Sequence, residues 1–164
     1  MKLDEENRSN GDKSDNTWSN AIMKEMKNVM IAFEVKEKGF KPPPGYKPVD
    51  LMMVFDIKMD FTRKARMCAR GDQTEPPSTL TYSSVVSRES VRLAFLIAAL
   101  NDLDCEMFDI GNAYLNAPTT EKLYVPEAGI EFGENAGKVL IITRALYGLK
   151  SSGAAYRSFF AQSL

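Results

Sequence analysis

Residues 88–101 carry apolar side chains around most of a helical circumference: Val91, Leu93, Ala94, Phe95, Leu96, Ile97, Ala98 and Leu100. A helix of this kind has to be covered on several sides, so the fold is expected to enclose it rather than lay it on a surface. Ser87 is placed to cap its first turn, and Glu89 puts an acid where the helix dipole favours one. The strongly apolar part, residues 93–100, is far shorter than the ~20 residues that cross a bilayer. No charged-then-apolar leader opens the chain.

The 164 residues amount to about one domain. With 44% hydrophobic and 26% charged residues the composition is that of a globular protein, which excludes general disorder and a coiled coil. Twenty-one basic and 22 acidic residues nearly cancel, so any nucleic-acid surface must be a local patch. Histidine is absent, which removes imidazole from the candidate bases and metal ligands. Cys68 and Cys105 are too few and too far apart for a disulfide scaffold or a zinc module, and fit a reducing compartment. The expectation is a soluble intracellular protein or a piece of one.

Residues 1–17 are polar and aperiodic and read as a disordered lead-in. A helix is expected from Trp18, capped by Ser19, with Ile22, Met26, Val29 and Met30 on one face. Residues 41–48 form a proline-rich turn. Leu51, Met53, Phe55 and Ile57 then alternate as in a half-buried strand. After a turn at Met59 and Asp60, residues 61–70 complete an antiparallel hairpin, with Lys64, Arg66 and Arg70 at even positions. Residues 58–70 hold Lys58, Arg63, Lys64, Arg66 and Arg70 against Asp60, although a charged stripe is also what an ordinary solvated face looks like. Further strands are expected over 103–110, 123–125 and 139–143, and a last helix over 151–164.

Asp109 is the residue best placed for chemistry. It ends an apolar run just before Gly111, where a carboxylate can be held rigidly and still face a cleft, as a hard-cation ligand requires. An aspartate in such a place can equally be a turn former.

The run from Phe108 through Asp109, Ile110, Gly111, Asn112, Ala113, Tyr114, Leu115 and Asn116 to Ala117 resembles the first catalytic motif of reverse transcriptases of the Ty1/copia retrotransposon class. Lys64-Ala65-Arg66 with Ala69-Arg70-Gly71, and Ala145-Leu146-Tyr147-Gly148-Leu149-Lys150, resemble further segments of that family in the same order. The resemblance implies an α+β architecture over residues 18–164: the fingers and N-terminal part of the palm of a right-hand polymerase, with a ferredoxin-like palm. It implies RNA/DNA template-primer and deoxynucleoside triphosphate (dNTP) as partners, no membrane, and a cytoplasmic particle or nucleus as the location. It also implies two Mg²⁺ ions, with Asp109 as a catalytic, metal-bridging carboxylate and the Ile110 backbone carbonyl as an additional ligand. Lys64 and Arg66 would grip the triphosphate, and Tyr114 would pack under the sugar and exclude a 2′-hydroxyl. Arg63, Arg70 and Lys150 would contact nucleic acid.

The chain departs from the family pattern in two ways. An aromatic-x-Asp-Asp hairpin would lie beyond residue 157, so the metal site is expected to be incomplete, with the rest of the palm and the thumb missing and the chain inactive alone. Where the family has Gln after the Gly-Leu-Lys step, this chain has Ser151, so a nucleotide contact made by that Gln would be missing. Alternative readings are a retained nucleic-acid-binding module and a non-functional retroelement relic.

Overall fold

A computed structural model describes residues 17–78 and 80–163. Most of the expected lead-in therefore lies outside the described residues. Thr17 is the exception: its side-chain hydroxyl accepts from the Asn20 amide at 3.2 Å and caps helix α1, Trp18–Val29. The cap falls two residues earlier than Ser19 because Thr17 has the extended backbone that a cap needs (φ −108°, ψ 160°). Met26 and Val29 are buried, as the spacing predicts.

A four-stranded sheet forms the centre. Strand β1, Phe33–Lys36, pairs antiparallel with β6, Val139–Ile142, and β6 pairs antiparallel with β5, Leu123–Val125. The short β2, Lys47–Pro48, joins β5 in parallel at the edge, which gives the order β1-β6-β5-β2. Pro48 is tolerated there because an edge strand can do without one donor. All four residues of β6 are buried, as befits a strand paired on both sides. The hairpin β3, Leu51–Ile57, and β4, Arg63–Ala69, is a separate two-stranded sheet with Met53 opposite Met67 and Val54 opposite Arg66.

α1 lies against β4. The Glu25 carboxylate accepts the Met67 amide at 2.9 Å, which ties helix to hairpin with one backbone donor satisfied. Met26, Val29, Phe33, Met67, Leu123, Leu140, Ile142 and Leu146 belong to one core, and Phe33 meets Phe132 edge-on at 5.5 Å. Helices are mixed with strands that pair mainly antiparallel, an α+β arrangement.

The structure overturns two expectations. Helix α2, Arg88–Leu100, forms with Ser87 capping Ser90, but only Ala98 is buried. Leu93, Phe95 and Leu100 are 57%, 58% and 75% exposed, because no other described element packs broadly on the helix. Residues 103–110 are not a strand. They run without regular structure and are mostly exposed, since no described strand lies alongside to take up their backbone hydrogen bonds. A third difference is β1: Glu34 and Lys36 hid its pairing behind only two apolar residues. The last helix, α3, is Ser152–Ser163. Among the described residues, no helix is long and apolar enough to cross a membrane.

Candidate functional site

Strand pairing decides which way the basic residues of β4 face. Ala65, Met67 and Ala69 are buried toward α1 and the core, so Lys64, Arg66 and Cys68 share the opposite face. There Lys64 lies across from Asp56 and Arg66 across from Val54. Arg63 belongs to the other face, and its guanidinium sits 5.6 Å from the centre of the Trp18 ring. The even-numbered stripe thus holds Lys64 and Arg66 together, with Arg63 apart from them.

The end of β4 is locked to residues 146–151. The Ala69 amide donates to the Tyr147 carbonyl at 2.8 Å. Gly148 has φ +89°, and a β-carbon on it would come within 2.0 Å of the Ala69 carbonyl oxygen. One on Gly71 would come within 2.2 Å of the Gly148 oxygen, so two glycines let two backbones cross where no side chain fits. The Lys150 ammonium donates to the Thr74 carbonyl, which ties this segment to the loop after β4. Arg70 is paired with Asp72 at 3.0 Å. That hydrogen bond raises the Arg70 guanidinium pKa and lowers the Asp72 carboxyl below its ordinary 3.8. Arg70 and Lys150 are therefore both engaged within the chain.

Ser151 is 2% exposed, and its amide and hydroxyl both donate to Glu121, at 3.0 and 2.5 Å. Position 151 faces inward here, so a ligand would not meet Ser151 directly.

Asp109 is exposed, in the irregular stretch before a turn in which Asn112 has a left-handed backbone (φ 52°, ψ 41°). The Asn116 side-chain amide donates to the Asn112 carbonyl at 3.4 Å and helps close that turn. Asn112 is among the residues lining a cleft of about 200 Å³ between α1 and the hairpin. Lys24, Lys58, Arg63 and Lys64 also line it, against one acid, Glu25, whose carboxylate already accepts from Met67. Four cations around a concave space favour an anion, and the low-dielectric walls strengthen that preference. A second cleft shares Ala21, Lys24, Thr62 and Arg63 with it, so the groove continues along α1.

The donors do not match the magnesium pair that the resemblance implies. Among the described residues, no three carboxylates or thiols gather to hold a cation. Asp109 with one backbone carbonyl falls far short of the roughly six oxygens that a hard cation takes, so these residues do not make a metal centre by themselves.

Tyr114 packs against Tyr147 at 4.9 Å between ring centres and against Tyr156 at 6.1 Å. The Arg66 guanidinium lies 5.5 Å from the Tyr147 ring centre. Tyr147 therefore joins the expected phosphate-gripping arginine to the expected sugar-side tyrosine. Sequence reasoning placed it in a motif without giving it a role. The bridge pairing Cys68 with Tyr147 was the missing signal, and it links residues 79 positions apart.

Residues 33–164 match the family model described as "Reverse transcriptase (RNA-dependent DNA polymerase)". The chain is 34% identical over 111 residues to the truncated transposon Ty1-A Gag-Pol polyprotein of Saccharomyces cerevisiae, which covers 65% of this chain and 9% of that protein. It is 35% identical over 114 residues to the transposon Ty1-BL Gag-Pol polyprotein of the same yeast, covering 65% of this chain and 6% of that one. The chain thus spans less than a tenth of the length of these relatives. No solved structure matches it at a significant level.

Proposed function

The chain belongs to the Ty1/copia-type reverse transcriptase family, and from that premise we propose that it is the fingers and N-terminal palm of an RNA-directed DNA polymerase, residues 18–164 forming the domain. In this reading it holds the dNTP triphosphate and the nearby template-primer backbone. The observation that carries it is the basic cleft between α1 and the hairpin, whose lining includes Asn112, three residues beyond Asp109. Lys64 and the other cations that line the cleft grip the triphosphate, and Arg66, beside the Tyr147 ring, supplies a further cation for it. Tyr114 stands beside the sugar and disfavours a 2′-hydroxyl by its bulk. Arg63, Arg70 and Lys150 meet the template-primer backbone, each from a position where it also has a contact within the chain.

Asp109 and the Ile110 carbonyl offer ligands to a Mg²⁺ site that needs further acids. The chain alone is therefore a nucleotide- and nucleic-acid-binding unit without polymerase activity. Primer extension with the 164-residue chain and Mg²⁺ is expected to give no product, and robust incorporation would refute the inactivity. Binding to an RNA/DNA primer-template should weaken with salt, and Lys64→Ala with Arg66→Ala should lower the log–log slope by about two phosphate contacts, ~1.8. An unchanged slope would remove these two residues from the interface. Absence of binding at low salt would remove the function.

A further inference from the structure

We infer that Tyr147 is a positioning residue: its ring holds the Arg66 guanidinium over the hairpin face so that the arginine is ordered before an anion arrives. This rests on the nucleotide-handling reading above. An arginine on a two-stranded hairpin is ordinarily free to rotate, and freezing it on binding costs affinity. On its own sheet Arg66 has Val54 opposite and Asp56 diagonal to it, and it forms no ion pair among the described residues. What it has is the Tyr147 ring at 5.5 Å, within the range over which a guanidinium is drawn to an aromatic face.

The ring itself is fixed. The Tyr147 carbonyl accepts from Ala69, Gly148 is seated against the Ala69 carbonyl, and the ring is half-buried beside Tyr114 at 4.9 Å. Tyr156 and Phe160 extend the packing behind Tyr114, at 6.1 and 6.0 Å in succession. A rigid platform on residues 146–151 thus reaches across to a flexible side chain on β4. The attraction needs an aromatic face and not the phenol hydroxyl, so phenylalanine should serve as well as tyrosine.

The test uses the full chain, with inorganic tripolyphosphate as the probe. In proton NMR the Arg66 side-chain resonances are expected upfield of ordinary arginine positions, displaced by the Tyr147 ring current. Tyr147→Phe should keep that displacement and bind tripolyphosphate as the parent does. Tyr147→Leu should abolish it and bind about fivefold more weakly, the equivalent of a cation–ring contact of ~1 kcal/mol. Ordinary Arg66 positions in the parent chain overturn the inference whether or not the leucine variant folds. So does a Tyr147→Leu chain that keeps the displacement, or one that loses it without losing affinity. If the parent shows no saturable tripolyphosphate binding, the nucleotide-handling reading fails, and the Arg66 resonances alone then decide whether Tyr147 holds the arginine.

Discussion

One carboxylate oxygen of Glu121 takes both hydrogen bonds that Ser151 can donate, from its amide at 3.0 Å and its hydroxyl at 2.5 Å, with both residues buried. The contact crosses from the loop before β5 to the start of α3, and it fixes the far end of the segment carrying Tyr147 and Lys150. Beside it, the Ser152 hydroxyl donates to the Leu146 carbonyl at 2.6 Å, so the turn is bonded from within as well.

Replacing Glu121 with Ala strands two buried donors, at about 1–3 kcal/mol for each group left unsatisfied. Urea unfolding of Glu121→Ala should show a loss of that order, with Glu121→Gln intermediate because its amide oxygen still accepts. A loss below about 0.5 kcal/mol in Glu121→Ala would mean that Ser151 finds water instead.

Gly148→Ala combines a left-handed backbone with a β-carbon driven into the Ala69 carbonyl oxygen. Strain and displacement together should cost more than about 2 kcal/mol, read as a lowered urea midpoint with the slope unchanged. Gly39 also has a positive φ, +83°, but open space around it. Gly39→Ala should therefore cost about 1 kcal/mol or less, and equal losses at the two sites would show that the close approach at Gly148 contributes nothing.

The exposed face of α2 gives the opposite pattern to a core helix. Leu93→Glu with Leu96→Glu should reduce dye binding and self-association of the chain while changing its stability by no more than about 0.5 kcal/mol. A loss of several kcal/mol would show that α2 is buried in solution.

Much of the architecture could be read from residue patterns. The alternation Leu51, Met53, Phe55, Ile57 led to β3, the even-numbered basic residues to one face of β4, and the capped apolar stretch to α2. What the patterns did not contain was partnership. Apolarity around α2 says that the helix should be covered, yet nothing local says by what, and residues 103–110 have strand-like composition but no described strand to pair with. The candidate site divides in the same way. Lys64, Arg66, Asp109 and Tyr114 stood out by motif, whereas Tyr147 and Glu121 acquire their contacts only when distant segments meet.

Thiol chemistry separates the two cysteines. Burial, with the Glu25 carboxylate adding to it, pushes the Cys68 thiol above its ordinary 9.0, so less thiolate is present at any pH below that value. Cys105 is exposed. A disulfide reagent at pH 8 should label one thiol quickly and the second slowly, and Cys105→Ser should remove the fast phase. Loss of the slow phase instead would reverse the assignment.

The Arg70–Asp72 pair can be followed by titration. Asp72 has a lowered pKa in the folded chain, so the stability it adds is present above its unfolded value and fades as pH falls through the folded one. Both side chains are well exposed, and the contribution is small. In Arg70→Ala the Asp72 carboxyl carbon, followed by NMR, should titrate closer to 3.8. An unmoved midpoint would mean that the pair does not persist in water.

The crossing of Gly71 and Gly148 makes the hairpin a lever with a fixed base. Its Leu51–Ala69 end is clamped there, and nearer the tip the Trp18 ring meets Phe55 edge-on at 5.1 Å and lies 5.6 Å from the Arg63 guanidinium, while Met59 projects wholly into solvent. A swing of the whole arm would therefore have to carry residues 146–151 with it and break the Trp18 contacts.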